Sequence, residues 1–267
     1  MHPPVIFKGN YMITSKSNTK VKNVVDLQKH AKARTEQKAY VVEGVKMFEE
    51  LPREDIIEVF VNSQFANSNV KLMRELCAEI VAEQVFEYMS DTKTPQGILC
   101  VVRQKEYQIA DLLKAERPFL LVLENLQDPG NVGTIFRTAE GAGVDGIILS
   151  QNCVDVYNPK VIRGAMGSLS RMPFVHTGNW MEVVEQLKVA GVTTYAAHLG
   201  GTKMYDEGDY KKACAFLIGN EGSGLSGFLS NAADELIKIP LSGEVESLNA
   251  AIAAAVLMYE GARQRRS

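Results

Sequence analysis

Residues 239–252 read IPLSGEVESLNAAI, and this stretch decides how the chain is organised. Its beginning indicates the end of a buried strand, which Pro240 closes. A loop containing Gly243 follows, and the pattern predicts a helix from Ser247 onward, because serine is a preferred N-cap. The next residues are small or branched and apolar, so we expect a helix buried on all sides. The sequence therefore predicts a loop held against a tightly packed helix, where backbone groups can bind a ligand.

The composition is that of a globular protein, with 46% hydrophobic and 23% charged residues in a chain of 267. This length predicts one large or two modest domains. No apolar run approaches the roughly 20 residues needed to span a bilayer, and no signal-peptide pattern is visible. The four cysteines are scattered and lack a CxxC pair. We therefore expect reduced, buried thiols in a cytoplasmic protein, and no metal site.

Charge is unevenly distributed along the chain. The net charge of −3 argues against a protein coated by nucleic acid, yet residues 1–46 contain nine basic and three acidic side chains. A local basic patch can bind phosphate even when the whole protein is acidic. A solvated helix face explains the same pattern equally well.

The first part of the chain predicts a small α/β domain, because strand and helix patterns alternate. Residues 1–11 read as an appendage. Helical patterns are predicted over residues 18–38, 45–51 and 69–82, and strands over residues 39–43, 56–61, 85–89 and 97–102. Residues 103–117 are polar, with a short helical piece. We therefore divide the chain into a first domain at 1–105, a linker at 106–117 and a second domain at 118–267.

The second domain also alternates strands with helices. Its strands, such as the continuous apolar run FLLVL at 119–123, suit a parallel sheet covered on both faces. Strands are predicted over residues 119–123, 146–149, 174–177, 193–198, 215–218 and 236–239. Helices are predicted over residues 132–141, 160–169, 180–190, 228–232 and 247–263.

Two glycine-rich stretches resemble nucleotide-binding loops. The GxGxxG pattern at 141–146 ends a helix and precedes a strand, which is the reverse of a dinucleotide fingerprint, so we interpret its glycines as helix-end and turn residues. The stretch GNEGSGL at 219–225 lacks the lysine of a phosphate loop. It does follow a strand, however, and open α/β sheets bind ligands at the carboxyl ends of their strands.

A third loop follows the strand at 119–123. Residues 125–138 read NLQDPGNVGTIFRT, in which Asp-Pro-Gly turns the chain and a helix begins near Asn131. Asn131 could simply cap that helix. Arg137 lies six residues later, about 1.7 helical turns away. The four histidines are isolated, and no Ser-His-Asp or Cys-His arrangement is visible.

Taken together, these three loops resemble the SpoU (TrmH-type) ribose methyltransferases of the SPOUT superfamily. The resemblance rests on N131-x-G133-x-x-x-R137-T138, on GNEGxGL from 219, and on IPLxGxxxSLN from 239, followed by the alanine-rich helix and YE at 259–260. It covers most of residues 118–261. The N-terminal SNxKVK at 17–22 and YVVEG at 40–44 look like the substrate-binding domain of that family, which is similar to the ribosomal L30e fold.

The resemblance implies a fold, a cofactor and a partner. The fold is a C-terminal parallel-sheet α/β domain with a deep trefoil knot, preceded by the smaller L30e-like α/β domain; such knots are rare exceptions among proteins. The cofactor is S-adenosylmethionine, bound within the knot. The family works as a homodimer whose active site draws on both subunits, and it methylates RNA.

The resemblance also assigns roles to individual residues. Backbone groups at four apolar or glycine positions would contact the cofactor, namely Gly219, Ile239, Leu241 and Leu248. Five polar residues would line the reaction centre, namely Asn131, Arg137, Glu221, Ser247 and Asn249. The last two could also merely cap and brace the loop.

The chemistry leaves the role of Arg137 open. The ribose 2′-hydroxyl must lose a proton, and a proposed family role makes the arginine the base. A guanidinium, however, has a pKa above about 12. Arg137 could instead bind the neighbouring phosphate and orient the hydroxyl.

We therefore predict methyl transfer to a ribose 2′-hydroxyl, with 23S-type rRNA as the first choice of substrate. A tRNA substrate, a non-catalytic RNA-binding homodimer and, more remotely, a small-molecule methyltransferase are the alternatives. A basic first domain is useful for docking RNA. The side chains predicted to contact RNA are Lys16, Lys20, Lys22, Lys32 and Arg34.

Overall fold

The structure is a computed structural model that describes residues 12–266. The predicted appendage at residues 1–11, and His2 within it, lie outside the described residues. The chain forms two compact units, the first comprising residues up to Lys105 with Tyr157–Pro159, and the second comprising Glu106–Val156 with Lys160–Ser267. No described helix has both the length and the apolar character needed to cross a membrane.

The first unit is built on a mixed four-stranded sheet in the order β1-β4-β2-β3. Strand β4 is antiparallel to both its neighbours, whereas β2 and β3 are parallel. The strands are β1 (Ala39–Glu43), β2 (Ile56–Asn62), β3 (Ala78–Val81) and β4 (Ile98–Arg103). The helices are α1 (Thr19–Lys29), α2 (Ala31–Gln37), α3 (Val45–Glu50), α4 (Ser63–Ser68), α5 (Val70–Glu75) and α6 (Glu83–Met89).

Three predictions for the first unit were wrong. The helix predicted over 18–38 breaks at His30, whose backbone is extended, and becomes α1 and α2. The helix predicted over 69–82 ends at Glu75, and the chain then forms β3, because the edge of β2 is free to pair there. The strand predicted over 85–89 is the helix α6, because Val85, Phe86 and Met89 share one buried face.

Arg34 explains the break at His30. The last carbonyls of a helix have no partner within the helix. Arg34 on α2 donates from Nη1 to the carbonyl oxygens of Leu27 (2.6 Å) and Gln28 (3.0 Å) at the end of α1. Its side chain is only 4% exposed. The two short helices are therefore joined by a buried guanidinium, which a helical periodicity count does not detect.

The second unit contains a seven-stranded sheet in the order β7-β6-β5-β10-β8-β11-β9, and every neighbouring pair is parallel. The strands are β5 (Phe119–Leu123), β6 (Gly146–Ser150), β7 (Phe174–Thr177), β8 (Thr193–Ala197), β9 (Lys203–Met204), β10 (Cys214–Ile218) and β11 (Glu235–Lys238). The helices are α7 (Ile109–Leu112), α8 (Pro129–Ala142), α9 (Pro159–Ala165), α10 (Trp180–Val189), α11 (Gly227–Ala232) and α12 (Ala250–Arg265). The predicted parallel sheet is confirmed.

The final helix returns across the sheet. Strand β11 lies three positions from β5, yet α12 packs on α8 and β10. The chain between β11 and α12 therefore crosses the carboxyl edge of β8 and β10, a return that the predicted knot requires. Small residues allow this close packing: a Cβ added to Gly261 of α12 would lie 2.7 Å from Cζ of Phe119 in β5.

Several element boundaries differ from the predictions. Helix α8 begins at Pro129, with Asp128 as its N-cap, three residues before the predicted start. Helix α12 begins at Ala250, with Asn249 rather than Ser247 as its N-cap. It is also not buried on all sides, because Ile252 and Tyr259 are about half exposed. Gly143 ends α8 at φ 75°, as the reading of the GxGxxG pattern predicts. The segment at 106–117 carries α7, whose Leu112 is buried in the core of this unit.

Three cysteines are buried as expected, but Cys77 is exposed. Burial raises the pKa of the Cys100 thiol to about 12. At neutral pH this thiol is therefore protonated and behaves as a small apolar side chain.

We predict that Gly133→Ala destabilises the second unit. The added Cβ would lie 2.8 Å from the carbonyl oxygen of Val161 and 2.9 Å from Cα of Gly164, so the backbones of α8 and α9 must move apart. Overpacking of this kind costs about 1–3 kcal/mol. Urea unfolding followed by the fluorescence of Trp180, the one tryptophan in the sequence, measures the loss.

Gly227→Ala is the matched control, because a Cβ there meets nothing within 4 Å. We expect it to lose no stability. Equal stability of Gly133→Ala and the parent chain would contradict the close contact of α8 with α9.

Candidate active site

Three loops meet the solvent at the carboxyl edge of the parallel sheet in the second unit. They follow β5 (residues 124–128), β10 (residues 219–226) and β11 (residues 239–249). Because β5 and β10 are parallel neighbours, their loops leave the sheet side by side. The third loop ends at Asn249, where α12 begins. This edge is where open parallel sheets bind ligands.

A chain of three side chains connects these loops. Asn249 donates from Nδ2 to Oδ1 of Asn131 at 2.9 Å, and Asn131 donates from its own Nδ2 to Oε1 of Glu221 at 2.6 Å. Oδ1 of Asn249 accepts hydrogen bonds from the amides of Ala251 and Ile252 at the start of α12. Both asparagines therefore have one orientation that satisfies all their partners, and the chain of hydrogen bonds runs in one direction toward the carboxylate.

The position of Asn131 in this chain follows from the cap of α8. Asp128 accepts from the backbone amide of Asn131 at 2.7 Å, so Asp128 is the cap and Asn131 lies within the first turn. The side chain of Asn131 is therefore available to the other two loops. The simpler interpretation of Asn131 as the cap of its own helix was wrong.

Asn220 shapes the loop that carries Glu221. Its Oδ1 accepts from the amides of Gly222 and Ser223, while its Nδ2 donates to the carbonyl of Asn125 at 2.9 Å. Gly224 has a φ of 68°, which favours glycine. A Cβ on Gly219 would lie 2.2 Å from the carbonyl carbon of Gly224. The glycines are therefore required by a tight turn closed on itself.

Glu124 is a site residue that sequence reasoning missed. It is 3% exposed, and its Oε2 accepts from the amide of Ser226 at 2.6 Å. Its own amide donates to the carbonyl of Ile218. The carboxylate thus joins the end of β5 to the end of the glycine-rich loop. A charged residue directly after the apolar run FLLVL is the signal that could have found it.

Arg137 and Ser247 are placed differently from the three linked residues. Both are exposed, and neither side chain forms a hydrogen bond or ion pair with another described residue. Arg171, in contrast, holds Glu140 through Nη2 and Oε2 at 2.9 Å. This contact lowers the pKa of the Glu140 carboxyl. The guanidinium of Arg137 is therefore available to a ligand, whereas that of Arg171 is committed to an ion pair.

The residues predicted to contact the cofactor lie in or beside a stretch of backbone that makes no backbone hydrogen bond to another described residue. Gly219, Ile239, Leu241 and Leu248 are all half-buried. Within the described chain, residues 240–248 make no backbone hydrogen bond to other residues. Free N–H and C=O groups beside half-buried apolar side chains suit a ligand with an apolar body and several polar atoms. This donor set fits a nucleoside joined to an amino acid, such as S-adenosylmethionine.

The predicted RNA contacts lie in the first unit and do not form a uniform set. Lys16, Lys22 and Lys32 are exposed. Lys20 is held by Glu79 at 2.6 Å and Glu58 at 3.0 Å, and these hydrogen bonds raise its pKa. Arg34 is buried and binds the carbonyls of α1, so its prediction as an RNA contact was wrong.

In the part of the chain that the structure describes, carboxylates and other ligating side chains do not gather into a metal site. Among residues 12–266, no group of three or more histidine, cysteine, aspartate or glutamate side chains is arranged to hold an ion. The site at the carboxyl edge is composed of side-chain amides, the carboxylates of Glu124 and Glu221, the guanidinium of Arg137 and backbone groups.

Comparisons with known proteins agree with this geometry. The SpoU rRNA methylase family matches residues 118–259, and the MRM3-like substrate binding domain matches residues 18–100. The 23S rRNA (guanosine(2553)-2′-O)-methyltransferase RlmP of Bacillus subtilis (strain 168) is 34% identical over 248 residues, which are 92% of this chain and 97% of that protein.

Two solved structures resemble the whole chain. The AdoMet-bound rRNA methyltransferase from Sinorhizobium meliloti has a TM-score of 0.84 and 30% identity, covering 95% of this chain and 97% of its own. The SpoU methyltransferase AviRb from Streptomyces viridochromogenes, in complex with the cofactor AdoMet, has a TM-score of 0.83 and 26% identity, covering 94% and 99%. The predicted family and the predicted cofactor class are therefore confirmed, and the chain belongs to the SpoU family of S-adenosylmethionine-dependent RNA methyltransferases.

Proposed function

We propose that this chain transfers the methyl group of S-adenosylmethionine to a ribose 2′-hydroxyl of 23S-type ribosomal RNA. The observation that carries the proposal is the Asn249–Asn131–Glu221 chain beside a loop whose backbone groups have no backbone hydrogen-bond partner among residues 12–266. Similarity to RlmP over nearly the full length of both chains supports the choice of ribosomal RNA. Relatives named for tRNA or rRNA keep tRNA as the alternative substrate.

The loops at the carboxyl edge would hold the cofactor. Backbone groups near Gly219, Ile239, Leu241 and Leu248 would contact its adenosine and methionine parts, and the half-buried leucines would exclude water. When bound, S-adenosylmethionine supplies an activated methyl group. Glu124 supports this arrangement by fixing the amide of Ser226, so the turn at 219–226 cannot open away from β5.

The reaction requires the 2′-hydroxyl to lose its proton as its oxygen gains the methyl group. We propose that Arg137 binds the adjacent phosphate and orients the hydroxyl, because an exposed guanidinium with no protein partner suits a phosphate. The three linked residues would keep the loops in register, and Ser247 would donate to the ribose or to the carboxylate of the cofactor. Arg137 acting as the base is the competing role.

The first 105 residues are proposed to bind the RNA, with 106–117 leading into the catalytic domain at 118–267. The match to a substrate binding domain at 18–100 supports this division. Lys16, Lys22 and Lys32 are the exposed basic side chains that carry it. Lys20 would contribute less, because Glu58 and Glu79 already neutralise it.

We also propose a homodimer, with α12 in its interface. Ile252 and Tyr259 are seven residues apart on α12 and are therefore on the same side of the helix. They are 53% and 50% exposed, respectively. Two large exposed side chains on an otherwise tightly packed helix favour a second copy of the chain as their cover.

Methyl transfer to RNA from cells lacking this protein tests the function. Incorporation of labelled methyl from S-adenosylmethionine is expected in ribosomal RNA, at a ribose that resists alkali. Incorporation only into tRNA would support the alternative substrate. Binding of the cofactor without methylation of either RNA would leave the non-catalytic RNA-binding homodimer.

Arg137→Ala is expected to lower kcat at least about 100-fold, because orienting a reacting group is worth several kcal/mol. Cofactor affinity, measured by calorimetry, should stay within about twofold. Arg137→Lys should recover little, since an ammonium cannot bind a phosphate through two parallel hydrogen bonds.

The pH profile separates the two roles of Arg137. If Arg137 is a phosphate clamp, the pH profile of kcat should keep all its titration steps when Arg137 is replaced by lysine. Loss of an alkaline step in the Arg137→Lys profile, with all other steps unchanged, would contradict the clamp and support the base.

Replacing Ile252 and Tyr259 together by glutamate is expected to convert the dimer to a monomer, because two carboxylates would be desolvated in each half of the interface. Light scattering measures the mass. The control is Val189→Glu on α10, which is 84% exposed and outside the proposed interface. A monomeric parent chain at micromolar concentration would contradict the dimer.

A further inference from the structure

We propose that Tyr88, together with Lys16 and Lys29, forms a stacking site for one unpaired base of the RNA substrate. This inference rests on the proposed function, since it names the form of RNA that the first unit recognises. Tyr88 and Lys29 are not among the RNA contacts that the sequence predicts. The site is one aromatic ring with two ammonium groups over it, and a base that stacks on the ring would move an ammonium group aside toward its own phosphate.

Tyr88 is held firmly but is not used by the core. It lies near the end of α6, whose Val85, Phe86 and Met89 are at most 3% exposed and fix the helix to the sheet. Tyr88 itself is 42% exposed. An aromatic ring on an anchored helix loses little conformational freedom when a ligand stacks on it. The ring is thus a rigid surface that packing does not explain.

Two lysines from different segments converge on this ring. Lys16 Nζ lies 5.0 Å from the ring centroid, and Lys29 Nζ lies 5.9 Å from it. Lys16 precedes α1, whereas Lys29 is the last residue of that helix. Neither lysine has an ion pair with a described carboxylate, in contrast to Lys20. No described carboxylate therefore neutralises the two ammonium groups, which lie over the Tyr88 ring and can move to meet phosphates.

This combination fits a nucleotide better than an acidic protein segment. An acidic peptide would use the lysines but would gain little from the tyrosine face. A nucleotide uses both, because its base stacks on the ring while its phosphates meet the ammonium groups. Lys22 lies seven residues before Lys29 on α1, so it extends the positive charge along the same side of the helix.

The base must be unpaired. In a duplex the faces of the bases are stacked on one another, and the grooves offer a tyrosine only edges and 2′-hydroxyls. The site therefore predicts that the RNA carries a single-stranded loop, bulge or end. Two carboxylates lie on the helices that carry the stacking site, Asp26 on α1 and Glu87 on α6. Asp26 is hydrogen-bonded to His30 at 2.6 Å.

The test compares the affinity of the full chain for two probes. One is a single-stranded RNA oligonucleotide that contains 2-aminopurine, and the other is the duplex formed with its complement. Tyr88→Leu should lower the affinity for the single strand about tenfold, which is the contribution expected of one stacked base. The affinity for the duplex should stay within about twofold of that of the parent chain. Tyr88→Phe should bind both probes as the parent chain does. The fluorescence of 2-aminopurine should be quenched by the parent chain and by Tyr88→Phe only.

Two further variants make the result specific. Ile57→Ser removes an exposed apolar side chain from β2 of the same unit and should change neither affinity. The double variant Lys16→Ala with Lys29→Ala should lower the affinity for both probes and reduce the salt dependence of binding. Unchanged single-strand affinity of Tyr88→Leu, or equal losses for single strand and duplex, would overturn the stacking site.

Failure of the stacking site and failure of the proposed function give different results. If the parent chain methylates ribosomal RNA and Tyr88→Leu neither weakens binding nor raises the KM for RNA, the stacking site alone is refuted. If the parent chain methylates no RNA but its single-strand binding still depends on Tyr88, the stacking site stands and the proposed reaction fails.

Discussion

The amide of Asn249 holds together the C-terminal helix and the candidate active site. Its oxygen accepts from two backbone amides at the start of α12, and its nitrogen donates to Asn131. One side chain therefore satisfies helix amides that would otherwise lack partners, and it ties α12 to the first turn of α8. Because the second bond continues to Glu221, the start of the last helix and the orientation of the glycine-rich loop are fixed together. The same side chain therefore caps α12 and connects the loops of the site.

Close packing is the second constraint, and it depends on small residues at particular positions. Gly133 allows α8 to touch α9, and Gly261 allows α12 to lie on Phe119 of β5. Both contacts surround the crossing of the C-terminal segment over the sheet. Protein interiors are packed to crystal-like density, so these helices have few alternative positions. Residues 240–248 make no backbone hydrogen bond to another described residue. The close-packed helices around this loop explain how it can still have a defined position.

The sequence allowed much of the second unit to be predicted. The alternation of strand and helix patterns placed β5, β6, β7, β8, β10 and β11 to within one residue at each end. The continuous apolar run of β5 is typical of a buried parallel strand. The resemblance of the three loops to the SpoU family pointed to Asn131, Glu221 and Asn249, which the structure joins by hydrogen bonds. Glu124 was missed because a buried carboxylate depends on a partner, Ser226, that is distant in sequence.

The first unit was less predictable, for physical reasons that its residues illustrate. Short apolar runs have the same composition in a helix as in a strand, so the run at 85–89 was assigned by propensity although α6 packs by helical spacing. Charge counting treated every basic side chain as exposed. Arg34 shows the error, since its guanidinium caps a helix inside the unit. Lys29 shows the opposite case, because only the fold brings it to Tyr88.

The exposure of the Arg137 side chain and its lack of a described side-chain partner bear on its two proposed roles. A guanidinium gives up its proton only where burial or neighbouring cations destabilise its charged form. Arg137 is exposed in this chain, and no side chain among the described residues binds its guanidinium. A phosphate clamp needs only an accessible guanidinium, which the first turns of α8 already supply. An exposed guanidinium that no described side chain binds is consistent with the proposed role of Arg137 as a phosphate clamp.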